Sequence, residues 1–254
     1  MGLFGNLNTA GHESVQDTLG GGNFGAIESG AYEAVIKVAY AGAAPSGAQN
    51  VTFVFTIPEL GDREYRETIY ITNKAGETFY LDKKNPNLKR TLPGYATVND
   101  ICIVTTGDPL TEQDTEEKVV KVYDFDANGE VNKSVQALTG LTGQKVILGL
   151  QKQLEDKKSK VGNEYVPTGE TRETNVIDKI FHSPTKMTVN EAERELTEGE
   201  FYNDWLKANE GKVRDRTAKD KGNAGKPGAA RSNAGGAAPQ AGGGGDAPRK
   251  KLFG

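Results

Sequence analysis

The 254-residue chain has one cysteine, Cys102, two histidines, His12 and His182, and one tryptophan. A single cysteine closes no internal disulfide, which points to a reducing compartment such as the cytoplasm. With so few thiols and imidazoles, a Cys/His zinc site has no ligand set, and no metal or other cofactor is expected. A serine triad would need His12, inside a glycine-rich arm, or His182, at the end of an apolar run, and neither has an evident nucleophile beside it. Carboxylates are plentiful but form no pair that stands out from a solvated surface, and no Gly-Lys-Ser/Thr of the phosphate-loop kind occurs. These absences argue against an enzyme. No apolar run reaches the length of about 18 residues needed to cross a membrane. Met1–Asn6 lacks the basic flank and apolar core of a signal peptide, and it carries Asn6 where myristoylation requires Ser or Thr.

What the chain does have is glycine, 32 residues of it, concentrated toward its two ends, while hydrophobic residues make up only 35%. This composition divides the chain into a Gly-rich arm at 1–25, a folded body at 26–215 and a basic Gly/Ala-rich tail at 216–254, the arm and tail being expected to stay disordered. The tail carries eight Lys and Arg against Asp220 and Asp246, a net +6; since the whole chain is −4, residues 1–215 carry −10. An acidic body runs against the basic-patch rule for nucleic-acid binders, although a binding groove needs only local charge and stacking surfaces. Gly20–Gly25 matches G-x-G-x-x-G in spacing. It lacks the preceding strand and following helix of a dinucleotide site, so it reads as part of the arm.

The body is organised around Gly30–Thr72. In the first run the even positions Tyr32, Ala34, Ile36, Val38 and Tyr40 are apolar; in the second the odd positions Val51, Phe53, Phe55 and Ile57 are. A third places Tyr65, Ile69 and Ile71 opposite Arg66, Thr68 and Tyr70. Period-two alternation with β-branched and aromatic residues predicts a three-stranded antiparallel meander, whose second face offers Lys37, Arg66 and Tyr70 to a ligand. Further strands are expected at Glu77–Asp82, Lys118–Phe125, Val131–Leu138, Leu141–Leu154 and Thr174–Phe181. Thr97–Thr106 reads as a helix started by Thr97 or Asn99 and ended by Gly107. Asp124–Gly129 resembles half a calcium loop, but Val135 stands where the bidentate Glu belongs, and Asn128-Gly129 reads better as a hairpin turn. Thr188–Glu191 and Thr197–Glu200 are capping boxes, the second introducing a helix whose Phe201 and Trp205 share one face.

Lys83-Lys84-Asn85-Pro86-Asn87-Leu88-Lys89-Arg90 is the longer basic cluster of the body, flanked by Tyr70, Phe79, Tyr80 and Tyr95. Rings beside cations suit single-stranded nucleic acid, the rings stacking on bases and the cations neutralising phosphates. The opposing reading is a solvated loop beside core aromatics. Asp156–Lys160 is a second cluster, expected as a loop between strands. Arg249-Lys250-Lys251-Leu252-Phe253, a cationic and apolar tip beyond the tail, has the chemistry of a docking peptide.

The strand Gly30–Val38, the small-residue turn with Ser46-Gly47, the strand Val51–Ile57 and the later pair Leu141–Leu148 and Thr174–Phe181 together resemble the single-stranded DNA-binding proteins of bacteriophages, over roughly residues 28–182. The resemblance implies an OB-fold, a five-stranded Greek-key barrel that binds single strands across one face. It also implies a non-catalytic role in phage replication or recombination in the host cytoplasm, and a C-terminal tail that recruits replication proteins or RNA polymerase. Tyr70, Phe79, Tyr80 and Tyr95 would then stack on bases, with Arg66, Lys74, Lys83, Lys84, Lys89 and Arg90 on phosphates. Tails of many such proteins are acidic and end in an aromatic; here Arg249–Lys251 are basic and only Phe253 fits. Two other readings stay open: a structural virion or assembly protein, and a transcription or replication adaptor acting through Lys250–Phe253.

Overall fold

The computed structural model describes residues 25–124, 129–162, 164–217 and 252–253. The arm with its Gly20–Phe24 segment, turn residues 125–128 of the calcium-like loop, and tail residues 218–251 lie outside them. The described residues are mainly β and OB-fold-like, with three short helices among them. Strands β1 (Gly30–Ala43), β2 (Gln49–Ile57) and β3 (Arg63–Tyr70) form the expected meander. β4 (Phe79–Leu81) and β5 (Lys89–Thr91) form a separate two-stranded ribbon, followed by α1 (Pro93–Thr106). Then come β6 (Thr115–Asp124) and β7 (Gly129–Leu138), paired as a hairpin with Asp124 opposite Gly129. β8 (Lys145–Val161) and β9 (Glu164–His182) form a long second hairpin, followed by α2 (Val189–Glu193), α3 (Phe201–Asn209) and β10 (Val213–Asp215).

The strand order β3-β2-β1-β8-β9 is the path of a five-stranded Greek-key barrel. β6, β7 and β10 extend it to an eight-stranded sheet, and the barrel is not closed. Among the described residues no backbone ladder joins β3 to β9. Glu67 on β3 bridges the opening instead, accepting the Ile177 N–H at 3.2 Å and the Tyr65 hydroxyl. Burial raises the Glu67 carboxyl above the usual range, against the pull of those two hydrogen bonds. α1 packs on β3, β8 and β9, and so spans the same opening. Its Val98, Ile101, Cys102 and Val104 are buried with Ile36, Phe53, Phe55, Ile57, Leu141, Val146, Leu148 and Leu150 in one core, each large side chain contributing roughly 1.5–3 kcal/mol. Burial also pushes the Cys102 thiol up to about 12, which keeps it unreactive.

Several sequence expectations are corrected. α1 starts at Pro93 after Leu92, four residues ahead of Thr97, because proline suits a first turn that needs no N–H; Gly107, at φ 81°, ends it as expected. Between α1 and β6, Leu110–Glu112 forms a 3₁₀ turn. Asp156–Lys160 is β-strand, not loop: β8 runs to Val161, and β9 begins at Glu164, ten residues before Thr174. Lys157–Glu170 and Glu155–Arg172 ion pairs zip this arm across its two strands, so its charges alternate with its partner's rather than marking a turn. Thr188 and Glu191 form the expected capping box, but Thr197–Glu200 do not. α3 begins at Phe201, whose N–H is taken by Glu191 Oε1 at 2.7 Å.

Candidate nucleic-acid interface

The strict alternation read along β1 fails at one place, and that failure builds the site. The register of β1 against β2 shifts between Ile36 and Val38, a bulge at the exposed Lys37. Ala34 and Ile36 face the core before it; after it Ala39 does, and Val38 and Tyr40 turn to the outer face. The expectation that all even residues of β1 share the core face is therefore wrong beyond Lys37. On the outer face Tyr40 lies beside Thr52 and Thr68, and Gly42 beside Asn50 and Tyr70. Thr52 and Thr68 hydroxyls meet at 2.8 Å.

Hairpin β6–β7 folds over this face because β7 pairs with β1 at Tyr40–Ala137 and Ala41–Gln136. The result is an open cleft of about 450 Å³, lined by Tyr40, Asn50, Thr52, Thr68, Lys133 and Gln136 among others. Arg66 and Tyr70 stand on the same face of β3. Tyr70 is 51% exposed, and the Arg66 guanidinium lies 3.9 Å from Glu130 of β7, too long for a tight pair. Lys74, exposed, follows β3 in a turn whose backbone lies against the β1–β2 turn at Gly47.

The other expected contacts gather on the β4–β5 ribbon. Its base adjoins Tyr70: Leu92 N–H donates to the Thr78 carbonyl at 2.8 Å, and Gly94 lies against the Tyr70 carbonyl. Tyr80 pairs across with Arg90 and is 45% exposed. Lys83 and Lys84 are exposed in the connecting loop. Two members are engaged within the ribbon itself. Arg90 is bound to Asp82, whose carboxyl falls to about 2, first through that guanidinium and then through the Lys84 and Asn85 N–H groups. The Lys89 ammonium sits 4.2 Å over the Phe79 ring. Tyr95, half-buried in the first turn of α1, joins neither group.

Tyr40 and Lys133 are the cleft residues that sequence reasoning missed. Alternation placed Tyr40 inside, and nothing in the β7 sequence says which strand it folds onto. Of the tip, Arg249–Lys251 lie outside the described residues, while Leu252 is partly exposed and Phe253 is buried against the body. Among the described residues no helix is long and apolar enough to cross a membrane. Comparison with models of known protein families and with curated proteins finds no match to this chain, so the reading of the cleft rests on its geometry and chemistry.

Proposed function

We propose that the protein is a non-catalytic single-stranded DNA-binding protein, similar to those of bacteriophages, acting in replication or recombination in the host cytoplasm. The observation that carries the reading is the outer face of β1–β3. Tyr40 and Tyr70 lie there beside the hydroxyl and amide groups of Thr52, Thr68 and Asn50, with Arg66 and Lys133 close by, under a hairpin that leaves the cleft open. Rings with free faces suit base stacking, and the short polar side chains suit base edges and sugars. The ribbon continues this surface, with Tyr80 as a further ring and Lys74, Lys83 and Lys84 as phosphate contacts. Arg90, committed to Asp82, holds the ribbon's shape, and Lys89 covers one face of the Phe79 ring.

The test is fluorescence anisotropy of labelled oligo-dT with duplex DNA as competitor. The wild-type chain binds the oligomer, and duplex does not displace it. Tyr70→Ala and Tyr40→Ala each weaken binding by about 1–3 kcal/mol, the value of one base–ring stack, with unchanged circular dichroism. Absence of oligo-dT binding at low salt overturns the proposal. Equal affinities in the two variants and the wild type move the site elsewhere.

A further inference from the structure

Among the described residues beyond 217, Phe253 is buried, at 8% exposure, in the main core beside residues far away in sequence. Its ring centroid lies 4.3 Å from that of His182, with the planes inclined at 39°. The receiving surface is built locally. The His182 N–H donates to the Met187 carbonyl, and the Lys186 N–H donates back to the His182 carbonyl, both at 2.8 Å. Thr185 Oγ1 holds His182 Nδ1 at 2.9 Å, which fixes the imidazole plane. Met187, Val189 and Ala192, from this turn and α2, are buried in the same cluster as Phe253. None of these groups depends on Phe253 for its own hydrogen bonds, so the surface exists whether or not the ring is seated.

The sequence on the other side of the contact is equally specific. Residues 218–251 contain no Val, Ile, Leu, Met, Phe, Tyr or Trp, so Leu252 and Phe253 are the first large apolar residues after Val213. A stretch of that composition has nothing to bury on its own account, and the contact with the body depends on Phe253, Leu252 remaining 36% exposed. We infer that the turn at His182–Met187 together with α2 is a peptide-docking site, and that its occupant is the chain's own Leu252–Phe253 segment, held in place by the phenylalanine ring. A partner that recognises Arg249–Phe253 by its ring must therefore draw Phe253 out of this site, and the docked and partner-bound states exclude each other. The inference is independent of DNA binding and survives if that reading fails.

The experiment uses the full chain and its two histidine ring signals in proton NMR. Burial holds the His182 pKa below its ordinary value. In Phe253→Ala the His182 signal moves and its titration midpoint rises, because water reaches the imidazole, while the His12 signal stays in place. Adding a synthetic peptide of residues 245–254 to that variant at millimolar concentration, the range a covalent linkage supplies, returns the His182 signal to its wild-type position. The same peptide carrying Phe253→Ala does not. An identical His182 signal and titration in wild type and variant overturns the contact. A shift that the peptide fails to reverse overturns the docking site, leaving Phe253 as a fixed part of the core.

Discussion

Asp100 sits on α1 between Asn99 and the core residue Ile101, and burial pushes its carboxyl up to about 7, against the pull of the Lys179 ammonium and with a smaller push from Glu193. The folded pKa exceeds the unfolded one, so the folded state binds more protons between about pH 4 and pH 7. Stability is therefore fullest below that window and declines as pH rises through it. Asp100→Asn removes the titration: the variant should match wild type near pH 4 and exceed it at pH 8 by on the order of 2–4 kcal/mol, read as urea midpoints at the two pH values. A midpoint difference that does not change with pH contradicts this. Gly94 poses a steric limit at the same scale. A methyl group there would stand 2.1 Å from the Tyr70 carbonyl oxygen and 3.1 Å from Ile69 Cγ2. Gly94→Ala must push α1 and the ribbon base away from β3, at a cost of about 1–3 kcal/mol or more. Because Tyr70 carries that carbonyl, the melting temperature and the oligo-dT affinity should fall together.

At the scale of the element, α3 shows how a nine-residue helix, too short to be stable alone, is held. Trp205 is 3% exposed, packs edge-on against Phe181 at 6.1 Å between centroids, and donates its indole N–H to Asp178 at 2.8 Å. Asp178 in turn lies 3.8 Å from the Arg214 guanidinium, so one side chain connects α3, β9 and β10. Trp205→Ala should cost about 3–5 kcal/mol in a denaturant titration followed by circular dichroism; a loss under 1 kcal/mol would mean that α3 is dispensable. The docking face of α3 was legible only at Trp205: Phe201, four residues earlier, is 41% exposed, and Tyr202 and Leu206 join Trp205 against Ile147 and Phe181 instead. The meander and the inner face of β8 were legible as well, because burial on one face forces a period of two. The bulge at Lys37 was not: alternation continues through it in sequence while the backbone turns over, which hid Tyr40. The β8–β9 arm was hidden for the opposite reason, since a two-stranded ribbon in solvent is joined by its backbone ladder, with exposed ion pairs across it, and imposes no apolar pattern. Of the candidate site, Arg66 and Tyr70 could be placed from their own strand, whereas Lys133 depends on a long-range pairing that no local pattern encodes.

For the whole molecule the outstanding physical question is how a strand of DNA would settle on a chain whose first 215 residues carry −10. The answer lies in range. At 0.01 M salt the screening length is about 30 Å, so an approaching polyanion meets the field of the entire acidic body; at 0.1 M it is about 10 Å, and only the groups lining the cleft and ribbon act. Arg66, Lys74, Lys83, Lys84 and Lys133 are the cations assigned to phosphates there. If three to five of them engage, counterion release from a single strand gives a slope of log K against log salt of about −2 to −4. At low salt, body-wide repulsion offsets part of that attraction. The expected plot is therefore curved, shallow below about 0.05 M and approaching the full slope above about 0.1 M. An anisotropy series in oligo-dT from 0.01 to about 0.5 M salt reads it directly. A straight line of full slope from the lowest salt upward would mean that the acidic surface lies far from the strand. A flat line at all salts would mean that phosphates are not contacted, and the cleft would then have to be reassigned to an uncharged ligand.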